Sequence, residues 1–495
     1  MNKRWYWQLE PDLRGILPRV WKTWELYRED LAEISALAEE ARRFTGLEPE
    51  FVAEDAQGNP IDRLRLSPES GALLKRLNPV VRAPFEGRGW PYFFTATYLL
   101  ANPGLNHLLS STAGILLLLS KYAPELGGPK SQLQSGAVWG AQWLASPSSS
   151  YARDEAWRLN GQHDPALGIG LSDYALVIGQ HGAEEESLFL LPRRNRRGQL
   201  NYRTQLKPQP AAMGLPSGSV EMEGAEAYLV GKVEEGQQYM AELSTLNHLA
   251  QAMCWTGLGR HVQLEVLRIA PLEPASCYEL TDWAVRLAGG LALSLRAVAT
   301  WDKTRQEYPP YENAYLARFL SYIAKVRARE HTLVVAQSAS RVLGGLALAQ
   351  NPALARLIQE AQSVPLWQKP AHLELAEAVE WLRHRRIEGP FRADFGSRLQ
   401  RAHHPEATTA AEILSQTLDL LLGLKPAEAH WRASSALRTL ADAATVALLY
   451  DLSPEGERYA ELAGLYARHF LGGEPYPGRV LNQPDLWGKT ASSSE

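Results

Sequence analysis

Apolar residues recur at helical spacing, with charges between them, along WKTWELYREDLAEISALAEEARRF (21–44). This pattern predicts an amphipathic helix. AEDAQGNPIDRLRLSP (53–68) interrupts it with turn residues and predicts a loop or short hairpin. NPGLNHLLSSTAGILLLLSKYAPEL (102–126) is apolar on most sides, predicting a buried helix that LGGP ends. The texture changes near residue 135. AVWGAQWLA, DYALVIGQ, SLFLLPR and SVEMEGAEAYLVG are short, rich in β-branched and aromatic residues, and separated by Gly, Pro, Asn and Ser. They predict a compact β domain over 135–232.

Helical patterning returns with GQQYMAELSTLNHLAQAM and dominates to about residue 470. One break stands out: PLWQKPAHL (365–373) separates the helical segments LARLIQEAQ and ELAEAVEWLRH. Pro and Gly in EGPFRADFG (388–396) suggest a further boundary. The order is therefore an α-helical domain (1–134), a β domain (135–232), a helical domain (233–390) and a terminal helical piece (391–495), an α+β class with no repeat of fixed period.

Composition narrows the function classes. The chain has 495 residues, 45% of them hydrophobic, with a formal net charge of −4. That suits several domains with sizeable cores and argues against wholesale coating of nucleic acid. Two cysteines, Cys254 and Cys277, without a Cys/His cluster argue against a disulfide framework or structural zinc. A reducing cytoplasm is the simple expectation. The N-terminal MNKRWYWQLEPDLRG lacks the apolar core of a secretory signal. The longest apolar run, AGILLLL (113–119), falls far short of the ~20 residues of a spanning helix.

Common catalytic strings are missing: there is no HExxH, P-loop or GxSxG. GLGR (257–260) and GIG (168–170) lack the setting of a dinucleotide fingerprint, and adjacent His403 and His404 do not share a helix face. PRRNRRGQLNYR (192–203) reads as a charged hairpin tip, with phosphate binding and base stacking by its arginines and Tyr202 as the alternative. RHRRIEGPFRADFGSRLQR (383–401) reads as a solvated helix end, with a partner or nucleic-acid patch as the alternative.

Several strings, in order, resemble those of acyl-CoA dehydrogenases. They are LNGQHDPALGIGLSDYALVIGQ (159–180), SLFLLPR (187–193), PSGSVEMEGAEAYLVG (216–231), AQSASRVLGG (336–345) and RLIQEAQSVPLWQ (356–368). The early GNPID string is similar to the opening of the alkylation-response AidB-like branch, which carries an extra C-terminal helical domain. The resemblance spans about residues 50–385. It implies an N-terminal helical domain, a β-barrel-like middle domain and a helical bundle. It also implies FAD, an acyl thioester substrate, and a homodimer or homotetramer.

Measured against that resemblance, the chemistry is altered. The family's Glu base aligns with Gln368, an amide with no comparable basicity. An alternative base position falls near Asn247 and His248. Among family FAD positions, Leu144 is kept, while Ala145 and Ser146 replace the Thr and Glu that follow it. The flavin-stacking aromatic aligns near Pro165, and the hydroxyl that bonds flavin N5 aligns near Leu167. The QVLGGxGY string has become RVLGGLALAQ, with Arg341 for Gln and with Gly344 and Gly345 retained; Trp367 is also kept. The residue pattern thus predicts weak or absent FAD binding and a non-catalytic homologue that is a subunit, binding module or regulator. Its partner would be a dehydrogenase subunit or an acyl thioester. A flavoenzyme with a remodelled pocket and an AidB-like nucleic-acid role are the alternatives.

Overall fold

The structure, a computed structural model, describes residues 5–44, 50–153, 156–181, 185–207, 215–269, 273–309, 311–363 and 369–487. In chain order the first helices are α1 (Trp5–Leu9), α2 (Leu13–Val20), α3 (Arg28–Phe44), α4 (Pro68–Arg82), α5 (Trp90–Leu100), α6 (Pro103–Tyr122) and α7 (Gly127–Ser135). The long bundle helices are α8 (Gly236–Ile269), α9 (Pro274–Thr304) and α10 (Ala314–Gln350), followed by α11 (Pro352–Ser363) and α12 (Ala371–His384). The chain continues through α13 (Glu388–Phe391), α14 (Ser397–Ala402), α15 (Pro405–Gly423), α16 (Pro426–Asp451) and α17 (Glu457–Tyr466). The strands are β1 (Glu50–Glu54), β2 (Pro60–Arg65), β3 (Gly140–Arg153), β4 (Ala156–Leu167), β5 (Tyr174–His181), β6 (Glu185–Pro192), β7 (Arg203–Lys207) and β8 (Ser217–Leu229). The fold divides into two compact units, one of residues 37–89 and 102–247, the other of residues 1–36, 90–101 and 248–495.

The first of these units holds the strands. Six of them run in the order β4-β3-β5-β6-β8-β7, and a further β4–β8 pairing closes the sheet on itself. Closure leaves β7, which pairs with β8 alone among the described residues, as the remaining edge. Alternating residues point inward, so Ala141, Trp143, Leu159, Val177, Phe189, Val220 and Met222 share one core. The first six residues of β5, YALVIG, are buried throughout. α6 packs against β3: Thr112 Oγ1 accepts from the Gly140 N–H at 3.0 Å, and Asn102 caps the helix by accepting from Leu105 N at 2.9 Å. The β1–β2 hairpin expected near residue 60 is present. Buried Arg193 ties it down by donating to the carbonyls of Ile61 and Asp62.

The second unit is helical, and α9, α10, α12 and α16 pack on one another at its centre. Small residues allow close approach there. A Cβ on Gly257 of α8 would lie 2.0 Å from the Tyr98 carbonyl oxygen of α5. Among the described residues, no helix is long and apolar enough to cross a membrane.

Candidate functional site

α10 and α12 run antiparallel, and each presents polar residues three apart to the other. Such i, i+3 pairs share a helix face. On α10 these are Tyr322 and Lys325; on α12 they are Glu374 and Glu377. The Tyr322 hydroxyl donates to Glu377 Oε2 at 3.1 Å, and the Lys325 ammonium pairs with Glu374. Lys369, just before α12, pairs with Glu377 from the more exposed side. His248 of α8 sets its ring edge-on to Tyr322, with centroids 4.6 Å apart.

The Lys325–Glu374–His248 part of this cluster is dry, whereas Glu377 and Lys369 reach solvent. Lys325 is 4% exposed, Glu374 2% and His248 9%. Burial pushes the His248 imidazole well below its ordinary range, and the cations of Lys325, Arg318 and Lys369 push the same way. The ring is therefore neutral at pH 7. Burial also lowers Lys325, against the pull of Glu374, and raises the Tyr322 phenol, with Glu377 adding to that rise. Two buried atoms, His248 Nδ1 and Glu374 Oε2, have no hydrogen-bond partner among the described residues. Both atoms retain hydrogen-bonding capacity toward the interior of the cluster. Chemically the cluster offers a neutral imidazole, an un-ionised phenol and two carboxylates, each held by a lysine.

Gln368 and Trp367 lie outside the described residues, although Lys369 beside them reaches the cluster. His248 joins the cluster. Asn247 does not: adjacent helical residues point about 100° apart, and its amide instead donates to Gln142 Oε1 of β3 at 2.7 Å. Arg341, Gly344 and Gly345 sit exposed near the C-terminal end of α10, with Arg341 about 24 Å along the helix from Lys325 at its 1.5 Å rise and the two glycines farther still. Gly344 breaks the helix with φ +71°, which glycine adopts without strain.

The remaining positions belong to the β unit. Leu144 is half-buried on β3; Ala145 and Ser146 follow it in the same strand, with side chains outside the described ones. Pro165 is exposed near the end of β4. Leu167 ends that strand, and its carbonyl accepts from the Trp143 indole N–H at 2.9 Å. Downstream, Ser148 is buried and bonded to His163 at 3.0 Å, so it is not presented to a ligand. Neither Pro165 nor Leu167 supplies the ring or the hydroxyl that the resemblance implies for a flavin. The side chains at these two positions do not fit that group. Among the described residues no His/Cys/Asp/Glu cluster is arranged to hold a metal.

Sequence reasoning missed Glu374 and Glu377. The signal was their i, i+3 spacing in ELAEA directly after the family's base position. Nothing in the string, however, said that Tyr322 and Lys325 would face them.

No protein-family profile matches the chain, and no curated protein matches it by sequence. Solved structures do match. Caenorhabditis elegans ACDH-11, in complex with C11-CoA, is 16% identical with a TM-score of 0.77, covering 99% of this chain and 94% of that one. The apo-form of Bd2924 is 18% identical with a TM-score of 0.75, covering 90% and 97%. Butyryl-CoA dehydrogenase from Megasphaera elsdenii is 14% identical with a TM-score of 0.57; it covers 70% of this chain but 98% of itself. The chain has the acyl-CoA dehydrogenase fold. Its length beyond the butyryl-CoA enzyme is matched in ACDH-11.

Proposed function

We propose that this chain is a non-catalytic member of the acyl-CoA dehydrogenase fold, of the extended AidB-like type, acting as a binding or regulatory subunit. One observation carries the reading: an amide, Gln368, stands where the family's carboxylate removes the substrate α-proton. Losing a general base costs roughly 10²–10⁴-fold in rate. Pro165 and Leu167 add to it, since each lacks a flavin contact that the resemblance implies; every such buried or charge-assisted bond contributes ~1–3 kcal/mol. On this reading FAD binds weakly or not at all. The ligand is an acyl thioester, a class that ACDH-11 is seen to hold, and the partner is a dehydrogenase subunit or a second copy of this chain.

The test is optical and enzymatic. Purified protein should be colourless and stay so with excess FAD, and Gln368→Glu alone should give no acyl-CoA oxidation. A yellow protein with a flavin spectrum, or robust oxidation from that single change, overturns the reading.

A second reading, a flavoenzyme with a remodelled site, is favoured by one feature. Glu374, in the first turn of α12 and six residues after Gln368 in sequence, keeps an unpartnered buried carboxylate oxygen among the described residues. If that reading holds, Glu374→Gln in a flavin-loaded preparation abolishes turnover. A nucleic-acid role draws less support, because most of the 383–401 arginines are engaged within the chain. Arg383 donates to the carbonyls of Leu421 and Leu424 at 2.6 and 2.7 Å. Arg392 pairs with Asp419, and Arg398 with Asp394 and Asp451.

A further inference from the structure

Two arginines of that same cluster are not engaged in this way, and they face a cavity. The last turns of α9, the first turn of α10 and the residues joining α12 to α13 enclose a recess of about 170 Å³. Four cations line it: Arg296, Lys303, Arg385 and Arg386. Arg296 is committed to Asp394 by bonds of 2.8 and 2.5 Å. Lys303, Arg385 and Arg386 have no carboxylate partner among the described residues, and Glu312 is the single carboxylate in the lining. The recess therefore carries excess positive charge, presented by Lys303, Arg385 and Arg386 from exposed positions beside the apolar Leu316 and Ile387.

Two further features give the recess a definite shape. The Arg385 guanidinium lies over the rings of Tyr315 and Trp381, at 4.8 and 5.5 Å from their centroids, which fixes its fork in place. Arg386 holds φ at +51°, a left-handed backbone that costs a side-chain-bearing residue energy. This is the left-handed C′ conformation that ends α12 just past its C-cap Arg385.

We propose that this recess binds a phosphate-sized dianion, either inorganic phosphate or the phosphoryl end of a small ester, with Arg385, Arg386 and Lys303 as its donors. Guanidinium forks match phosphate oxygens in pairs, and lysine adds a point charge. The site is separate from the α10–α12 cluster and does not depend on the function proposed for it.

Isothermal titration of the full chain with inorganic phosphate, at ionic strength matched with chloride, tests the proposal. Saturable binding at one site per chain is expected. Arg386→Gln should weaken it about tenfold or more, and Lys303→Gln/Arg386→Gln should remove it. Arg479→Gln, an exposed cation paired elsewhere with Glu461, should leave it unchanged. Methyl phosphate forms the second arm: tighter binding than phosphate assigns the site to an ester, weaker binding to the free ion. Absence of saturable binding beyond chloride, or binding that survives the double substitution, overturns the proposal. Circular dichroism of each variant guards against misfolding, which is not expected at exposed positions.

Discussion

Helix α10 carries two buried polar clusters within two turns of each other, and they are built differently. At Arg327 every group is matched. Its guanidinium donates to Asp442 Oδ1 at 3.0 and 2.7 Å and to Glu330 at 2.7 Å. Arg438 also donates to Glu330, the Tyr466 hydroxyl donates to Asp442 at 2.8 Å, and His331 lies 3.2 Å from that hydroxyl. None of these side chains leaves a buried polar atom unpartnered. At Lys325, by contrast, the pairs with Glu374 and Glu377 leave Glu374 Oε2 and His248 Nδ1 unmatched. Each cluster has a buried ion pair and a more exposed rim, so burial alone does not separate them. Satisfaction does: a complete network rigidifies a core, whereas an incomplete one carries an energetic cost that packing does not require.

The comparison breaks most readily at Asp442. Asp442→Ala strands a buried guanidinium and should destabilise the chain by about 3–5 kcal/mol, read from urea denaturation midpoints. A loss under ~1 kcal/mol would show that the network is not a structural keystone. Lys325→Met should cost less, ~2 kcal/mol, because Glu374 can take up a proton when its counter-ion goes. The two double variants sharpen the contrast. Lys325→Met/Glu374→Met removes the whole pair and should return to within about 1 kcal/mol of the parent. Arg327→Met/Asp442→Leu should not recover, since Tyr466, Glu330 and Arg438 lose their partners. Equal recovery in both would erase the distinction.

Periodicity made much of the fold legible. The buried pattern of α6, the β1–β2 hairpin and the near-continuous apolar run of β5 all follow from local spacing. What spacing cannot supply is the partner. The parallel β3–β5 pairing and the β4–β8 closure join segments whose registers are decided by packing. In the same way, Glu374 and Glu377 announce a helix face but not that Tyr322 and Lys325 occupy the opposite one. At EGPFRADFG, turn residues do not end the run of helix. Pro390 and Gly396 lie within helical residues 388–402, because Pro390 stands in a first turn, where its missing N–H has no partner to lose. Arginine counting also overstated the surface charge of 383–401, since pairing within the chain is invisible in composition.

The smallest effect concerns pH and singles out His248. Its folded-state affinity for protons lies well below that of the unfolded chain, whose ordinary value is 6.5. The native state then binds fewer protons than the unfolded state below that value, so stability rises with pH there. The contribution is complete above about pH 6.5 and is lost as pH falls toward the folded value. The groups facing the ring are Tyr322, Lys325, Arg318 and Lys369, and the three cations all oppose a charged imidazole. His331 titrates in the same sense, lowered by burial and by Arg327 and Arg286. A single substitution therefore removes only part of the acid sensitivity. His248→Gln keeps a polar side chain that cannot be protonated. Its stability deficit relative to the parent should shrink as pH falls from 8 to 5, with a slope of at most about 1.4 kcal/mol per pH unit below 6.5. His331→Gln should narrow its own gap similarly, but at the cost of the Tyr466 contact. A constant deficit for His248→Gln across that range would mean that the ring is already solvated, and that the cluster beside residue 369 is open to water rather than dry.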